Sequence, residues 1–210
     1  MNICYIIGAG QLPQLYINKQ NSFIIAADGG YEKLGDVTPD VIVGDFDSLG
    51  FVPKGDNVIT LPVKKDVTDM QYAVDIGIDN GCQAFVMYGG TGGRPDHTFA
   101  NYALLCYIAK KGLTGYLVGD NYVATAVHNS AIALPNHTKG TVSVFSAEGV
   151  SSGVSITGLE YALQDASLSF ENPLGVSNSF VGKEGTVSVK NGTLLVMWQE
   201  EKLKEFIDKL

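Results

Sequence analysis

The sequence predicts an α/β protein in which an N-terminal, mostly parallel sheet with helices on both faces is followed by a small antiparallel β-sandwich. Over the first 120 residues, short β-branched runs alternate with segments of helical apolar spacing, which is typical of βαβ units. These runs do not alternate with polar residues, as expected for strands covered on both faces. After residue 121, short strand candidates follow one another at roughly 8–12-residue spacing. We therefore predict two domains, residues 1–125 and 126–210.

The elements of the first domain are predicted in chain order. Apolar runs predict strands over residues 2–7, 23–27, 41–43, 57–61, 84–88 and 116–118. Helical spacing predicts helices over 66–78 and 95–111, with a shorter helix over 29–34. This series implies parallel strands, whose carboxyl ends meet at one edge of the sheet.

The second domain is predicted from shorter elements. Gly, Asn and Ser separate strand candidates over 141–145, 154–156, 161–163, 167–170, 186–189 and 194–198. The pair Asn191-Gly192 between the last two predicts a tight hairpin. The C-terminal segment predicts a helix that carries Leu203, Phe206, Ile207 and Leu210 on one face.

Charge and composition argue against several classes of protein, namely nucleic-acid-binding, membrane-spanning and secreted proteins. The 22 acidic and 14 basic residues give a net charge of −8, which argues against a nucleic-acid partner. No apolar run reaches the ~18 residues of a membrane span, and the N-terminus lacks a signal-peptide pattern. The three cysteines lie in apolar stretches, as is usual for unbridged thiols in a reducing compartment. We expect a soluble, cytoplasmic protein with no nucleic-acid or membrane partner.

Glycine or aspartate follows four of the predicted parallel strands. The segments are Gly8-Ala9-Gly10, Asp28-Gly29-Gly30, Gly44-Asp45-Phe46-Asp47 and the glycine-rich residues 89–97. Ligands of open α/β sheets bind beyond the carboxyl ends of the strands. The sequence therefore predicts a ligand site at this edge.

Asp45 and Asp47 are the strongest metal-ligand candidates in the sequence. Alternate residues of an extended segment point the same way, so both carboxylates can bind one hard cation. Mg²⁺ is commonly held by one or two carboxylates together with substrate phosphates. The alternative is an Asx-turn that ends the strand.

Asp66 and Asp69 in KKDVTDMQYAVD permit two interpretations. An acidic N-cap followed by a second acid three residues later resembles a capping box, and acids favour the helix dipole there. The same helix start lies at the predicted ligand edge. Capping and ligand binding can therefore be divided between these two residues.

The segment 89–97 contains four glycines and Arg94, the single arginine of the chain. Such a loop exposes backbone N–H groups, and the start of the following helix favours anions. Arg94 is a natural bidentate phosphate ligand at this position. The chain lacks GxxxxGK[ST] and a complete GxGxxG, so neither a P-loop nor a dinucleotide site is expected.

Three runs in this order, DGGYEKLGDVTPDVIVGDFDSLG, KKDVTDMQYAVD and GGTGGRPDHTFAN, resemble the thiamine pyrophosphokinase (thiamin diphosphokinase) family. GVSNSF and the strand containing Trp198 resemble the β-domain of that family. The resemblance implies a Mg²⁺-dependent transferase that moves a diphosphate from ATP to the hydroxyethyl group of thiamine and releases AMP. It also implies an ATP-binding α/β domain, a thiamine-binding β-sandwich and a homodimer with sites between subunits. The C-terminal helix and the GGTGGR form of the loop depart from the family pattern.

The resemblance further implies roles for individual residues. ATP would be bound by Asp28, Gly29, Asp66, Thr68, Gly93 and Arg94, and Mg²⁺ by Asp45, Asp47 and Asp69. Catalysis would depend on Asp45, Asp47, Asp69, Arg94 and Asp96, and thiamine would contact Ser177, Asn178, Trp198 and Asp96. The face of a tryptophan suits the thiazolium cation. Without the resemblance, a single tryptophan on a sandwich strand is expected in the core.

Two other functions are compatible with these residues. A strand that ends in DxDS resembles the haloacid-dehalogenase phosphatases, in which the first aspartate, here Asp45, is a phosphorylated nucleophile. That strand comes third in this chain rather than first, and the loop with Arg94 would have no role. A non-catalytic thiamine or nucleotide sensor would use the same pocket. The reaction product distinguishes the three functions: AMP indicates the diphosphate transferase, free phosphate indicates the phosphatase, and the absence of a product indicates the sensor.

Overall fold

The computed structural model describes residues 2–18, 20, 22–47 and 49–210. The chain divides into two units. Unit 1 comprises Met1–Asn101 and Gly115–Asp120, and unit 2 comprises Tyr102–Thr114 and Asn121–Leu210. Within the described ranges, no helix has both the length and the apolar character that crossing a membrane requires.

The strands of unit 1 are β1 (Ile3–Ile7), β2 (Ser22–Ala27), β3 (Val41–Gly44), β4 (Val58–Thr60), β5 (Ala84–Tyr88) and β6 (Thr114–Gly119). Their hydrogen-bonded order is β4-β3-β2-β1-β5-β6. The pairs among β1 to β5 are parallel, which confirms the predicted fold class. Ile7 pairs with both Ala26 and Tyr88. The segments that follow β1, β2 and β5 therefore begin at the same edge.

The interior of unit 1 explains why its strands lack polar alternation. Every residue of β1 and β5 is buried, and Tyr5, Phe85 and Tyr88 are fully buried. A strand buried on both faces needs apolar residues at consecutive positions. The largest side chains of the core thus belong to the two central strands.

Three helical segments connect these strands: a 3-10 helix (Asp28–Lys33), α1 (Asp69–Asp79) and α2 (Pro95–Lys110). Helix α1 buries Met70, Ala73, Val74 and Gly77, which follow helical spacing. The predicted start of this helix at residue 66 was wrong, because α1 begins after Thr68. The predicted short helix over 29–34 forms as a 3-10 helix.

Unit 2 contains the strands β7 (Tyr122–His128), β8 (Ala131–Leu134), β9 (Thr141–Ser146), β10 (Val150–Thr157), β11 (Leu163–Ser169), β12 (Gly175–Ser179), β13 (Gly185–Ser188) and β14 (Thr193–Gln199). Strands β7, β14, β9 and β12 are hydrogen-bonded in that order, and a separate sheet has the order β11-β10-β13-β8. The observed pairs are antiparallel, as predicted. A short helix, α3 (Leu203–Ile207), ends the chain.

Two predictions in unit 2 were wrong. Asn191-Gly192 does not form a hairpin, because β13 pairs with β8 and β10 whereas β14 pairs with β7 and β9. Asn191 and Gly192 instead lie in the connection between β13 and β14, which belong to different sheets, and Gly192 has a φ of 115°. The separate strand over 161–163 is absent, since β11 begins at Leu163. Strands β7, β8 and β12 were not predicted.

Candidate active site

A cavity of about 620 Å³ lies at the carboxyl edge of the unit 1 sheet. The segments that follow β1, β2, β3 and β5 form its walls, together with the first residues of α1. Its charged lining residues include Asp28, Asp45, Asp47, Lys65, Asp69 and Arg94. This position agrees with the general rule for ligand sites in open α/β sheets.

Glycines allow the loops after β1 and β5 to approach each other closely. The backbone N–H of Gly10 donates to the carbonyl oxygen of Gly89 over 2.8 Å. A Cβ atom on Gly10 would lie 2.5 Å from that same oxygen, so no side chain fits. At Gly30, a Cβ atom would lie 1.8 Å from the carbonyl oxygen of Ile7. The glycine-rich strand ends therefore bring the cavity walls together.

Three carboxylates cluster at this edge. Asp28 follows β2, whereas Asp45 and Asp47 follow β3. One ligand oxygen from each carboxylate lies within 4.8 Å of the other two. Mg²⁺ prefers carboxylate oxygens and completes its octahedron with water and phosphate, so this donor set fits the ion. Among the described residues, the cluster includes Asp28 and does not include Asp69.

The backbone between Asp45 and Asp47 is not the extended segment that the sequence predicted. Strand β3 ends at Gly44, and Phe46 has a φ of 58°, in the left-handed region. The backbone N–H of Asp47 donates to Oδ1 of Asp45 over 3.3 Å, which is the contact of an Asx-turn. The turn and the cluster therefore occur together. Asp28 also has a positive φ, of 48°, and such strained residues commonly occur at functional sites.

Lys65 contacts the acidic residues on both sides. Its Nζ lies 2.7 Å from Oδ2 of Asp45 and 3.1 Å from Oδ1 of Asp69. The hydrogen bond from Lys65 holds the pKa of Asp45 below its usual value. Burial opposes the charge of Lys65, but its hydrogen bond to Asp45 and its ion pair with Asp69 outweigh this effect and raise the pKa of the ammonium. The pKa of Asp69 is raised, chiefly by burial, against the effect of Lys65.

Asp66 is not the N-cap of helix α1. Thr68 is the N-cap, and its Oγ1 accepts a hydrogen bond from the backbone N–H of Gln71 over 3.2 Å. The interpretation of Asp66 as N-cap was therefore wrong. Asp66 is exposed, and Asp69 is the first residue of the helix. A hydroxyl N-cap leaves the Asp69 carboxylate available to Lys65.

We expect Thr68→Ala to lower the free energy of unfolding by about 1 kcal/mol, because the first turn of α1 loses its side-chain acceptor. Thr68→Ser retains a hydroxyl and is the matched control. Urea unfolding monitored by circular dichroism measures both variants. Equal stability of the Ala and Ser variants would contradict the capping role.

Arg94 and Asp96 form an ion pair at the start of α2. Arg94 Nε and Nη2 donate to the two carboxylate oxygens of Asp96 over 3.2 and 2.5 Å. The hydrogen bond from Arg94 lowers the pKa of Asp96 to about 2. Both side chains are more than 60% exposed. Arg94 and Gly93 line the cavity, and Gly93 has a φ of 75°.

Trp198 lies in the interior of unit 2. The residue is 2% exposed, and its ring makes an edge contact with Phe206 of α3, with centroids 5.7 Å apart. The indole N–H donates to Oε2 of Glu200 over 3.1 Å. The same oxygen lies 3.0 Å from Nε2 of His137. The Trp198 side chain is therefore packed and hydrogen-bonded within its own unit.

Ser177 and Asn178 lie on β12 and differ in environment. Ser177 is exposed and has a φ of 61°. Asn178 is 4% exposed, and its amide is occupied by the backbone of Tyr161: Oδ1 accepts from the N–H over 2.9 Å and Nδ2 donates to the carbonyl over 2.6 Å. Asn178 thus connects β12 to the segment before β11.

Comparison with known families decides the identity of this fold. Residues 15–117 match the family described as "Thiamin pyrophosphokinase, catalytic domain", and residues 130–194 match "Thiamin pyrophosphokinase, vitamin B1 binding domain". Together the two matches cover most of the chain, with the catalytic domain first and the vitamin B1 binding domain after it. The chain belongs to the thiamin pyrophosphokinase family. It is accordingly a transferase, specifically a diphosphotransferase. The catalytic match contains every charged residue of the cavity named above.

Individual relatives agree with membership of the thiamin pyrophosphokinase family. The chain is 24% identical over 187 residues to a thiamine pyrophosphokinase from Bacillus subtilis, covering 85% of this chain and 87% of that protein. The crystal structure of thiamine pyrophosphokinase from Bacillus subtilis superposes with a TM-score of 0.83 at 23% identity, covering 96% of this chain and 100% of that chain. The crystal structure of a thiamin pyrophosphokinase from Geobacillus thermodenitrificans superposes with a TM-score of 0.81 at 26% identity, covering 95% of this chain and 98% of that chain.

Sequence reasoning missed two charged residues that the structure places at important contacts. Lys65 precedes Asp69 by four residues, and this spacing was an available signal. Glu200 is the acidic residue that follows the apolar strand β14, and its side chain is 1% exposed. Trp198 and Glu200 both lie beyond the end of the vitamin B1 binding match of the thiamin pyrophosphokinase family.

Proposed function

We propose that this chain transfers the terminal diphosphate of ATP to the hydroxyl oxygen of thiamine, giving thiamine diphosphate and AMP. The observation that carries this proposal is the cluster of Asp28, Asp45 and Asp47 in a cavity walled by glycine-rich strand ends. The thiamine hydroxyl oxygen attacks the β-phosphorus of ATP, and the bond to the α-phosphate oxygen breaks. The hydroxyl proton is released and AMP leaves.

The phosphate chain of ATP is proposed to lie along the segment from Gly89 to Arg94. Backbone N–H groups of a glycine-rich turn and a following helix start attract phosphate oxygens. Arg94 adds a charged donor for the same oxygens. Asp28, Gly29, Asp66, Thr68 and Gly93 are proposed to complete the ATP site.

The acidic cluster is proposed to hold Mg²⁺. When bound, the ion neutralises phosphate charge that Arg94 and the lysines alone cannot balance, which is the main requirement of phosphoryl-type transfer. Asp28, Asp45 and Asp47 offer the observed donor set. Asp69 remains a proposed ligand, and it is connected to Asp45 through Lys65.

Asp96 is proposed to orient Arg94 rather than to remove the thiamine proton. With a pKa of about 2, its carboxylate has a low proton affinity at neutral pH. A general base is most effective when its pKa lies near the working pH. The bidentate pair instead fixes the guanidinium at the start of α2. Asp96 is also proposed to contact thiamine from this position.

Thiamine is proposed to bind through Ser177, Asn178 and Trp198 in a domain spanning residues 126–210. Residues 1–125 are proposed as the ATP-binding domain. We further propose a cytoplasmic homodimer whose sites lie between subunits. The match to a vitamin B1 binding domain supports the assignment of Ser177 and Asn178, which lie within it.

The decisive measurement is the nucleotide product formed from ATP, Mg²⁺ and thiamine. We expect AMP and thiamine diphosphate in equal amounts, resolved by ion-exchange chromatography. Omitting thiamine should abolish AMP formation. Free phosphate together with a phosphorylated Asp45 would indicate a phosphatase, and binding without any product would indicate a sensor.

A further inference from the structure

We propose that Lys65 is an internal counter-ion of the acidic cluster, which offsets part of its negative charge before the divalent cation binds and afterwards directs its own charge to the phosphate chain. This inference rests on the proposed function. It assigns a positioning role to a residue that the family resemblance did not single out.

Lys65 contacts one member of the cluster, Asp45, and also contacts the neighbouring Asp69. Its Nζ lies 2.7 Å from Asp45 Oδ2 and 3.1 Å from Asp69 Oδ1. The side chains of Lys65 and Asp45 are only 14% and 11% exposed. A pair shielded in this way is less weakened by water and salt than a surface ion pair.

The charges around the cavity explain why a counter-ion is needed. Asp28, Asp45 and Asp47 have ligand oxygens within 4.8 Å of one another, and like charges this close repel strongly. Arg94 is paired with Asp96. The ammonium of Lys33 donates to the carbonyl oxygens of Ala9 and Gly10. Arg94 and Lys33 thus have other partners, and Lys65 is the one of these three basic residues that contacts the cluster.

Lys65 and a divalent cation compete for the same negative charge. Asp45 belongs to the three-carboxylate cluster and is also the nearer partner of Lys65. The ammonium of Lys65 beside Asp45 weakens the binding of a divalent cation to the cluster. By linkage, a bound divalent cation weakens the contact between Lys65 and Asp45. Lys65 also lines the cavity, so a displaced ammonium remains in the cavity that is proposed to hold the phosphate chain.

This competition predicts effects of opposite sign, which a purely structural ion pair does not. Lys65→Met removes the charge and keeps an unbranched apolar chain. We expect Mn²⁺ alone to bind this variant roughly tenfold more tightly than wild type, because the repulsion is gone. We expect Mg²⁺·α,β-methylene-ATP, whose bridging carbon prevents cleavage, to bind roughly tenfold more weakly.

The experiment measures Mn²⁺ binding by electron paramagnetic resonance without nucleotide, and analogue binding by calorimetry. Lys65→Arg retains the charge and should bind Mn²⁺ as wild type does. Lys64→Met changes the exposed neighbouring lysine and is the matched control, for which we expect neither affinity to change. Mn²⁺ should also raise the melting temperature of Lys65→Met more than that of wild type.

The outcomes separate this inference from the proposed function. Mn²⁺ binding to Lys65→Met that is unchanged or weaker than wild type overturns the counter-ion role, even if wild type produces AMP. Tighter Mn²⁺ binding supports the role even if no AMP forms, in which case the proposed function fails alone. If Lys65→Met is unfolded without metal, Mn²⁺ should restore folding, and failure to do so overturns the inference.

Discussion

Replacing Asp45 by Asn is expected to lower turnover by roughly a hundredfold or more, because the substitution removes one negative charge from the proposed metal site. Asn is nearly isosteric with Asp and still offers one oxygen, so the shape of the cavity is retained. The affinity for Mn²⁺ should fall together with turnover. Asp47→Asn should act in the same direction, since its ligand oxygen belongs to the same cluster.

The stability of Asp45→Asn should change little. Lys65 keeps its contact with Asp69, and removing one of several neighbouring carboxylates relieves repulsion. We therefore expect the free energy of unfolding to stay within about 1 kcal/mol of wild type. AMP formation and urea unfolding, measured on the same preparation, distinguish loss of chemistry from loss of folded protein.

Asp56→Asn is the matched control, because Asp56 is an exposed aspartate that the cavity lining does not include. It should retain wild-type turnover. Near-normal turnover of both Asp45→Asn and Asp47→Asn would overturn the metal-site proposal. Recovery of a phosphoryl group on wild-type Asp45 would instead favour the phosphatase.

The parallel half of the fold was predictable because its signals are local and redundant. Consecutive apolar residues in β1 and β5 indicate strands buried on both faces, whatever their neighbours. Unit 2 offered weaker signals. The edge strand β12, with the sequence GVSNS, is mostly polar, and Asn191-Gly192 satisfies a local hairpin rule that the pairing of β13 and β14 overrides.

The candidate site was predictable in outline only. Aspartates at strand ends indicated a cation site, since parallel strands end at one edge. The conformation of Phe46 was not predictable, because an aromatic residue gives no local signal for a positive φ. Lys65 was missed because its partners Asp45 and Asp69 depend on where the loop after β4 lies, which is a tertiary property.

Trp198 provides a test in which packing and recognition give different results. Trp198→Leu removes a buried ring and leaves Glu200 without the indole donor. We expect the free energy of unfolding to fall by about 3 kcal/mol, because a cavity forms and a buried hydrogen bond is lost. Trp198→Phe keeps an aromatic ring and should lose less.

Thiamine affinity then shows whether Trp198 also recognises the substrate. A thiazolium cation is attracted to an indole face more than to a phenyl face, and not to leucine. If the proposed role holds, calorimetry on the folded protein should show thiamine affinity decreasing from wild type to Phe to Leu. The affinity for Mg²⁺·α,β-methylene-ATP should stay constant across the three proteins.

Phe206→Leu is the control for packing alone, since it removes the ring that contacts Trp198 and leaves the indole in place. We expect it to cost about 1 kcal/mol of stability with no change in thiamine affinity. A parallel loss of thiamine and nucleotide affinity in Trp198→Leu would place this residue in the core only. Glu200 would then be the acceptor that satisfies a buried indole N–H, because an unpaired N–H at this depth is costly.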